Sequence, residues 1–192
     1  MENKPGPEAS EEAQAQLLRR IAAGDIQSMA TFYDQTAAPL FSLAIRILGD
    51  HGEAEEVIQD VYMQIWDKAG AFDPMLGSAF HWMVSITRHR SIDRLRARQR
   101  RTRLLEQVNN MGADQPLSSD GRQGELNSDE LAEVHTALKS LPNEQRLPIK
   151  MAFFEGKTHH EISMALKQPL GTIKARIRRG MLKLRDSLHA YQ

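Results

Sequence analysis

Apolar residues recur at intervals of three and four along most of the chain, the period of helices packed by one face. Residues 13–24 carry Leu17, Leu18 and Ile21, and Gly24-Asp25 closes this first helix. Residues 27–48 continue with Met29, Phe32, Tyr33, Leu40, Phe41, Ala44, Ile45 and Leu48; Pro39 is expected to bend this helix and Gly49 to stop it. Over 50–66, Val57, Val61 and Ile65 form one stripe, with Ile58, Tyr62 and Trp66 a second beside it. So wide a face predicts burial among several helices. Asp50 is positioned to cap this helix, acids crowd its first turns as the dipole favours, and Glu55, Glu56, Gln59, Asp60 and Gln64 are left outside. Residues 67–78, with two Gly and a Pro, form a loop.

The next helix spans about 79–98. Phe80, Met83, Val84, Thr87, Ser91 and Leu95 share one side, whereas Trp82, Ile86 and His89 fall roughly opposite and are harder to bury. Residues 104–128, rich in Gly, Ser, Asp and Asn, read as a flexible linker. Helix returns over 129–141 with Leu131, Val134, Leu138 and Leu141 on one face and Ser128 or Asp129 as cap. A turn, a helix through Phe153 and Phe154, and a stop at Gly156 follow.

Two short amphipathic helices close the pattern. The first, 159–166, has Ile162, Ala165 and Leu166 on one side. Residues 167–170 turn at Pro169, and Thr172 is expected to cap a second helix that buries Ile173, Ile177, Met181 and Leu184. Its outward face is then Thr172, Lys174, Arg176, Arg178, Arg179, Lys183 and Arg185. A hydroxyl and six cations on a helix narrow enough for the major groove make this a helix-turn-helix with a DNA-binding face, against the plainer reading of a solvated basic hairpin. The fold class is all-α, with two small helical domains over 13–103 and 129–192.

Charge sharpens the picture. The net charge is zero, but residues 88–103 hold eight Arg and one Asp, and residues 157–185 hold eight Lys/Arg and one Glu. Each block is +7, the rest is −14, and the segregation predicts two separate contacts with a polyanion beside an acidic surface kept for another partner. Trp82 near the first arginine cluster suits stacking on an unpaired base, or packing against another helix. There is no cysteine, so disulfides and thiolate metal sites are excluded, which fits a reducing cytoplasm. Residues 1–12 are polar and acidic, have no apolar core of a secretory signal, and are expected to be a disordered tail. No apolar run approaches the roughly 20 residues that span a bilayer, so no direct membrane insertion is expected.

At four blocks the chain resembles an extracytoplasmic-function (group 4) sigma factor of the sigma-70 family: EAEEVIQDVYMQIW (53–66), FHWMVSITRHRSIDRLR (80–96), LPNEQR (141–146) and EGKTHHEISMALKQPLGTIKARIRRGMLKLR (155–185). Their order and spacing carry the resemblance, which covers nearly all of the chain after the first dozen residues. It implies a sigma-2 helical bundle and a sigma-4 helix-turn-helix, no cofactor, and no covalent chemistry of the chain's own. It also implies partners: core RNA polymerase, through the beta-prime clamp helices and beta flap, promoter DNA, and an anti-sigma factor that holds the protein inactive. By resemblance to region 2.2, Glu55, Glu56, Gln59, Asp60 and Gln64 would dock on the clamp helices. By resemblance to regions 2.3 and 2.4, Trp82, Arg88, His89, Arg90 and Arg94 would melt the −10 element and hold a flipped base. By resemblance to region 4.2, Thr172, Lys174, Arg176, Arg178 and Arg179 would read the −35 duplex. The linker is similar to the family's segment that threads toward the RNA exit channel. Where many members have Asn, in a pattern like I-A-R-N-R-A-I-D, this chain has His89 within ITRHRSID. A neutral imidazole offers a donor and an acceptor of different reach, so His89→Asn is expected to change −10 preference and leave core binding intact.

Two other readings are weaker. A regulator with a ligand-sensing N-terminal domain explains the sequence after Asp129 but not the arginine block at 88–103. An enzyme lacks support: His159-His160-Glu161 does not have the HExxH spacing, His81 and His89 have no nearby carboxylate pair, and there is no phosphate loop or nucleophile elbow.

Overall fold

The computed structural model describes the backbone of residues 7–109 and 136–189 and the side chains of residues 11–105 and 136–187. It divides into two compact units, residues 1–123 and 124–192. Among the described residues every regular element is helical.

In the first unit, α1 (Pro7–Ala22), α2 (Ile26–Leu48), α3 (His51–Lys68) and α4 (Ala79–Asn109) pack as a bundle in which α2 touches the other three. Its centre is Leu18 and Ile21 of α1, Phe32 and Leu40 of α2, Val61 and Ile65 of α3 and Met83 of α4, all essentially removed from solvent. Burial of such side chains contributes about 1.5–3 kcal/mol each before the entropy of ordering the chain is set against it. The helix boundaries have local causes. Asp25 caps α2 by accepting from the backbone N–H of Gln27 and Ser28 at 3.0 and 3.3 Å and from Ser28 Oγ at 2.7 Å. Gly49 ends it in the left-handed region at φ 67°, donating to Ile45 O. Asp50 caps α3 by accepting from Glu53 N at 2.8 Å.

Several sequence expectations shift. α1 begins at Pro7, so residues 7–12, expected in the tail, are helical. Proline at a helix start loses no bond, because the first amides of a helix have no intrahelical partner. α2 runs unbroken through Pro39, in keeping with a single helix over 27–48. α4 runs to Asn109, past the expected end near 98 and into residues expected as linker, since 99–109 are mostly good helix formers without Gly or Pro. Ile86, expected to be hard to bury, is buried together with Thr87 and Ser91, because α1, α2 and α3 all pack against α4. The loop after α3 holds two single 3-10 turns, Ala69–Ala71 and Pro74–Leu76. Most of the expected linker, and Leu131, Val134 and the Ser128 or Asp129 cap, lie outside the described residues.

In the second unit a helical stretch at 136–140 (α5) leads to α6 (Asn143–Phe153), α7 (His159–Leu166) and α8 (Leu170–His189). Ala137, Leu138, Leu141, Ile149 and Leu184 form one apolar cluster, and Met151, Ile162 and Ile173 another, with Ile177 packed against both. Here two expectations fail. Thr172 is no cap: α8 starts at Leu170, and Pro169 O accepts from Ile173 N at 3.1 Å. Met181 is 51 % exposed, and its expected place in the seam is taken by Gly180. The buried face of α8 is Ile173, Ile177, Gly180 and Leu184. A Cβ at Gly180 would lie 2.5 Å from Ile149 Cδ1 and 3.3 Å from Gln145 Cβ, so the missing side chain lets α8 approach α6 closely.

Candidate nucleic-acid interface

The turn that aims α8 is built from local bonds. Thr158 and Glu161 form a reciprocal capping box on α7, with Thr158 N donating to Glu161 Oε2 at 2.6 Å and Glu161 N to Thr158 Oγ1 at 3.2 Å. α7 ends at Lys167, a non-glycine in the left-handed region at φ 51°. Gln168 N then donates to Ser163 O at 3.0 Å, and Ser163 Oγ to Gln168 O at 2.6 Å.

This turn presents Lys174, Arg178, Arg179, Lys183 and Arg185 to solvent, with Thr172 half-buried at the start of the helix. Arg176 differs. Its guanidinium donates to Gln168 Oε1 in the turn and, at 3.0 Å, to Glu144 Oε2 of α6, and its side chain is only 20 % exposed. These bonds tie α8 to the turn and to α6. Glu144 was not singled out by the sequence, because a contact 32 residues apart leaves no local signal.

In the first unit, Ser78 starts α4: its Oγ accepts from His81 N at 3.3 Å and its carbonyl from Trp82 N at 3.1 Å. Trp82 is half-buried, its ring tilted against Phe72 of the preceding loop at 5.7 Å, while His89 is exposed. Trp82 thus packs on a loop residue, and it is only partly buried. Burial, with the Arg96 charge second, holds the Arg88 guanidinium below the usual arginine range, yet still cationic near neutral pH. The loop between Phe72 and Ser78 carries Met75 and Leu76, each 88 % exposed, an apolar tip that the sequence pattern did not isolate.

The remaining arginines of α4 meet the acidic face of α3. Arg90 Nε donates to Gln64 Oε1 at 2.9 Å, Arg94 pairs with Glu56 and reaches Glu53 at 4.0 Å, and Arg98 donates to Glu53 Oε2 and Leu48 O, both at 2.8 Å. The partners descend α4 as they ascend α3, so the helices run antiparallel along a polar ladder. Of the residues expected to bind polymerase, Glu56 and Gln64 are therefore engaged by Arg94 and Arg90, which were themselves expected at the −10 element. Glu55 faces His51 Nδ1 at 3.4 Å on its own helix, and Gln59 and Asp60 are exposed. Beside them Met63 is 68 % and Trp66 38 % exposed, so this flank of α3 is mixed acidic and apolar.

Comparison with known proteins agrees with both units. Residues 32–101 match the family model of Sigma-70 region 2, and residues 137–186 that of Sigma-70, region 4. The ECF RNA polymerase sigma factor SigK of Mycolicibacterium vanbaalenii is 37 % identical over 172 residues, covering 90 % of this chain and 87 % of that protein. The chain belongs to the extracytoplasmic-function sigma factors of the sigma-70 family. The SigK protein of Mycobacterium bovis is 35 % identical over 90 % of this chain and 91 % of its own. Among solved structures, RpoE in complex with the anti-sigma factor NepR from Bartonella quintana covers 85 % of this chain and 98 % of that one, at 23 % identity and a TM-score of 0.37. As a sigma factor the protein is an initiation factor that binds core polymerase and directs promoter-specific transcription; it is not an enzyme in its own right.

Proposed function

We propose that the two units divide promoter recognition between them. In the second, Thr172, Lys174, Arg178 and Arg179 at the exposed start and middle of α8 read the −35 duplex, and Arg176 holds α8 to Glu144 and Gln168 so that those side chains meet the groove in a fixed register. In the first, the open face of α4 holds the opened −10 strand. Trp82 offers a partly exposed ring for stacking and His89 an exposed imidazole for a base edge, with Arg88 contributing positive potential. Arg90 and Arg94 act by tying α4 to α3. The observation that carries this reading is the pair of solvent-facing basic helices, one in each unit, in a chain of this family.

The exposed flank of α3, with Glu55, Gln59 and Asp60 beside Met63 and Trp66, is the surface for core polymerase: the clamp helices of the beta-prime subunit, with the second unit on the beta flap. An anti-sigma factor competing for that mixed surface regulates the protein. Among the described residues no helix is long and apolar enough to cross a membrane, and action on polymerase places the protein in the cytoplasm.

The test is run-off transcription with purified protein, bacterial core polymerase and a pool of genomic promoter fragments. Promoter-specific transcripts only in the presence of the chain, carrying shared elements near −35 and −10, are the expected result. Specific binding of duplex promoter by the protein alone, with no gain from core, would instead favour a free-standing regulator.

A further inference from the structure

Helix α8 holds two glycines, Gly171 and Gly180, and packing within the protein explains only the second. A Cβ at Gly180 would lie 2.5 Å from Ile149 Cδ1. At Gly171, in the first turn of α8, a Cβ would meet nothing within 4 Å beyond its chain neighbours and the local backbone of the helix. Its φ is not left-handed either, in contrast to Gly24, Gly49, Gly77 and Gly156. Among the described glycines, Gly171 alone has neither a left-handed φ nor such a neighbour. Glycine loses more conformational entropy in a helix than alanine does, so the fold itself would be better served by alanine here.

The open space at Gly171 has a definite direction. At about 100° per residue, Gly171 points roughly 150° from the middle of the buried seam of α8. It is exposed, on the outward face that carries Arg178 two turns further on. Lys174 and Lys183 point about 90° to either side of the seam, toward the walls of a groove and their phosphates when the seam faces away from DNA. Gly171 then faces the floor, where base edges are displayed and the C5-methyl group of thymine is the apolar projection. A missing side chain lets a helix backbone approach a ligand closely.

We propose that Gly171 is a specificity-determining residue of the −35 site: its bare Cα is the point where α8 meets the floor of the major groove, and the C5-methyl group of a thymine fills the space a side chain would take. The inference rests on the reading that the outward face of α8 meets the −35 duplex. The glycine then weakens the helix slightly and sets how deeply α8 enters the groove, so stability and recognition pull this position in opposite directions.

The experiment measures the affinity of holoenzyme for a promoter fragment recovered by the run-off assay, with each thymine of the −35 element replaced in turn by uracil, which removes the methyl group and keeps the base pairing. Gly171→Ala should lower affinity for the unmodified promoter roughly tenfold, the scale of one mismatched base pair. At one thymine, uracil should restore most of what the variant has lost and cost the parent little. In thermal unfolding of the full chain, the transition of the second unit should be unmoved or raised by Gly171→Ala, since alanine is the better helix former. Core affinity should equal that of the parent. Undiminished promoter affinity in Gly171→Ala overturns the inference, as does a loss accompanied by a lowered transition, which would make the glycine structural. A loss that uracil relieves at no thymine overturns the methyl contact. Affinity indifferent to both Gly171→Ala and Arg178→Ala/Arg179→Ala sinks the −35 reading itself, whereas sensitivity to the arginine pair alone leaves that reading standing and removes only the role of Gly171.

Discussion

Helices α4 and α8 each belong to a block of charge +7, yet their cations do different things. On α8 the apolar seam and the basic face are separate: Ile173, Ile177, Gly180 and Leu184 pack inward, Lys174, Arg178 and Arg179 face out, and Arg176 alone among them is drawn into a clasp with Gln168 and Glu144. On α4 the seam itself is partly ionic, because α3 presents Glu53, Glu56 and Gln64 opposite Arg98, Arg94 and Arg90. Equal charge in the sequence therefore gives unequal charge for a ligand. What decides is whether a neighbouring helix offers acids at matching height.

The largest effect that would break this comparison comes from the α8 core. Ile173→Ala removes a fully buried side chain at the start of α8 and should cost the second unit about 2–5 kcal/mol, seen as a lowered unfolding transition for that unit while the first unit's is unmoved. Next is the basic face. Arg178→Ala/Arg179→Ala should lower the salt slope of promoter binding by roughly two and leave thermal stability unchanged, whereas an equal loss of stability would show those arginines to be structural like Arg94.

Tyr62 gives a smaller, pH-dependent effect within the first unit. Its hydroxyl lies 2.6 Å from Thr36 Oγ1, and burial pushes its pKa from 10 up to about 12, against the opposing bond to Thr36. A raised folded-state value means stability is fully present below pH 10 and declines as pH rises toward 12, because the unfolded tyrosine ionises first. Tyr62→Phe should flatten that decline in alkaline unfolding curves; an identical decline would assign it to other groups. The smallest effect expected is the Arg94–Glu56 coupling. Both side chains are substantially exposed, so a double-mutant cycle on stability should give about 0.2–1 kcal/mol. No coupling would mean that Arg94 is as free for DNA as Arg178.

Much of the fold was legible in the sequence, for reasons the structure makes concrete. The limits of α7 and the αL stop at Gly49 follow from caps and glycine within a few residues, and such local chemistry can be read directly. The helical class follows from apolar period. What could not be read depended on distant neighbours. Met181 and Gly180 are equally compatible with the period of α8, and only the closeness of Ile149 selects the glycine. Ile86 sits opposite the main apolar side of α4 and is buried because helices cover α4 from several directions. Arg90, Arg94 and Arg176 read as free cations because their partners Gln64, Glu56 and Glu144 on other helices lie 26, 38 and 32 residues away.

The division of labour between α4 and α8 can be read directly on DNA. The chain has no cysteine, so single cysteines at the exposed positions Ser85 on α4 and Ala175 on α8 can each carry a tethered DNA-cleaving reagent within the holoenzyme. The account predicts cleavage by the Ser85→Cys conjugate at the −10 element, on the opened strand, and by the Ala175→Cys conjugate at the −35 duplex. Cleavage by both conjugates at one element, or by the α4 conjugate at −35, would contradict it.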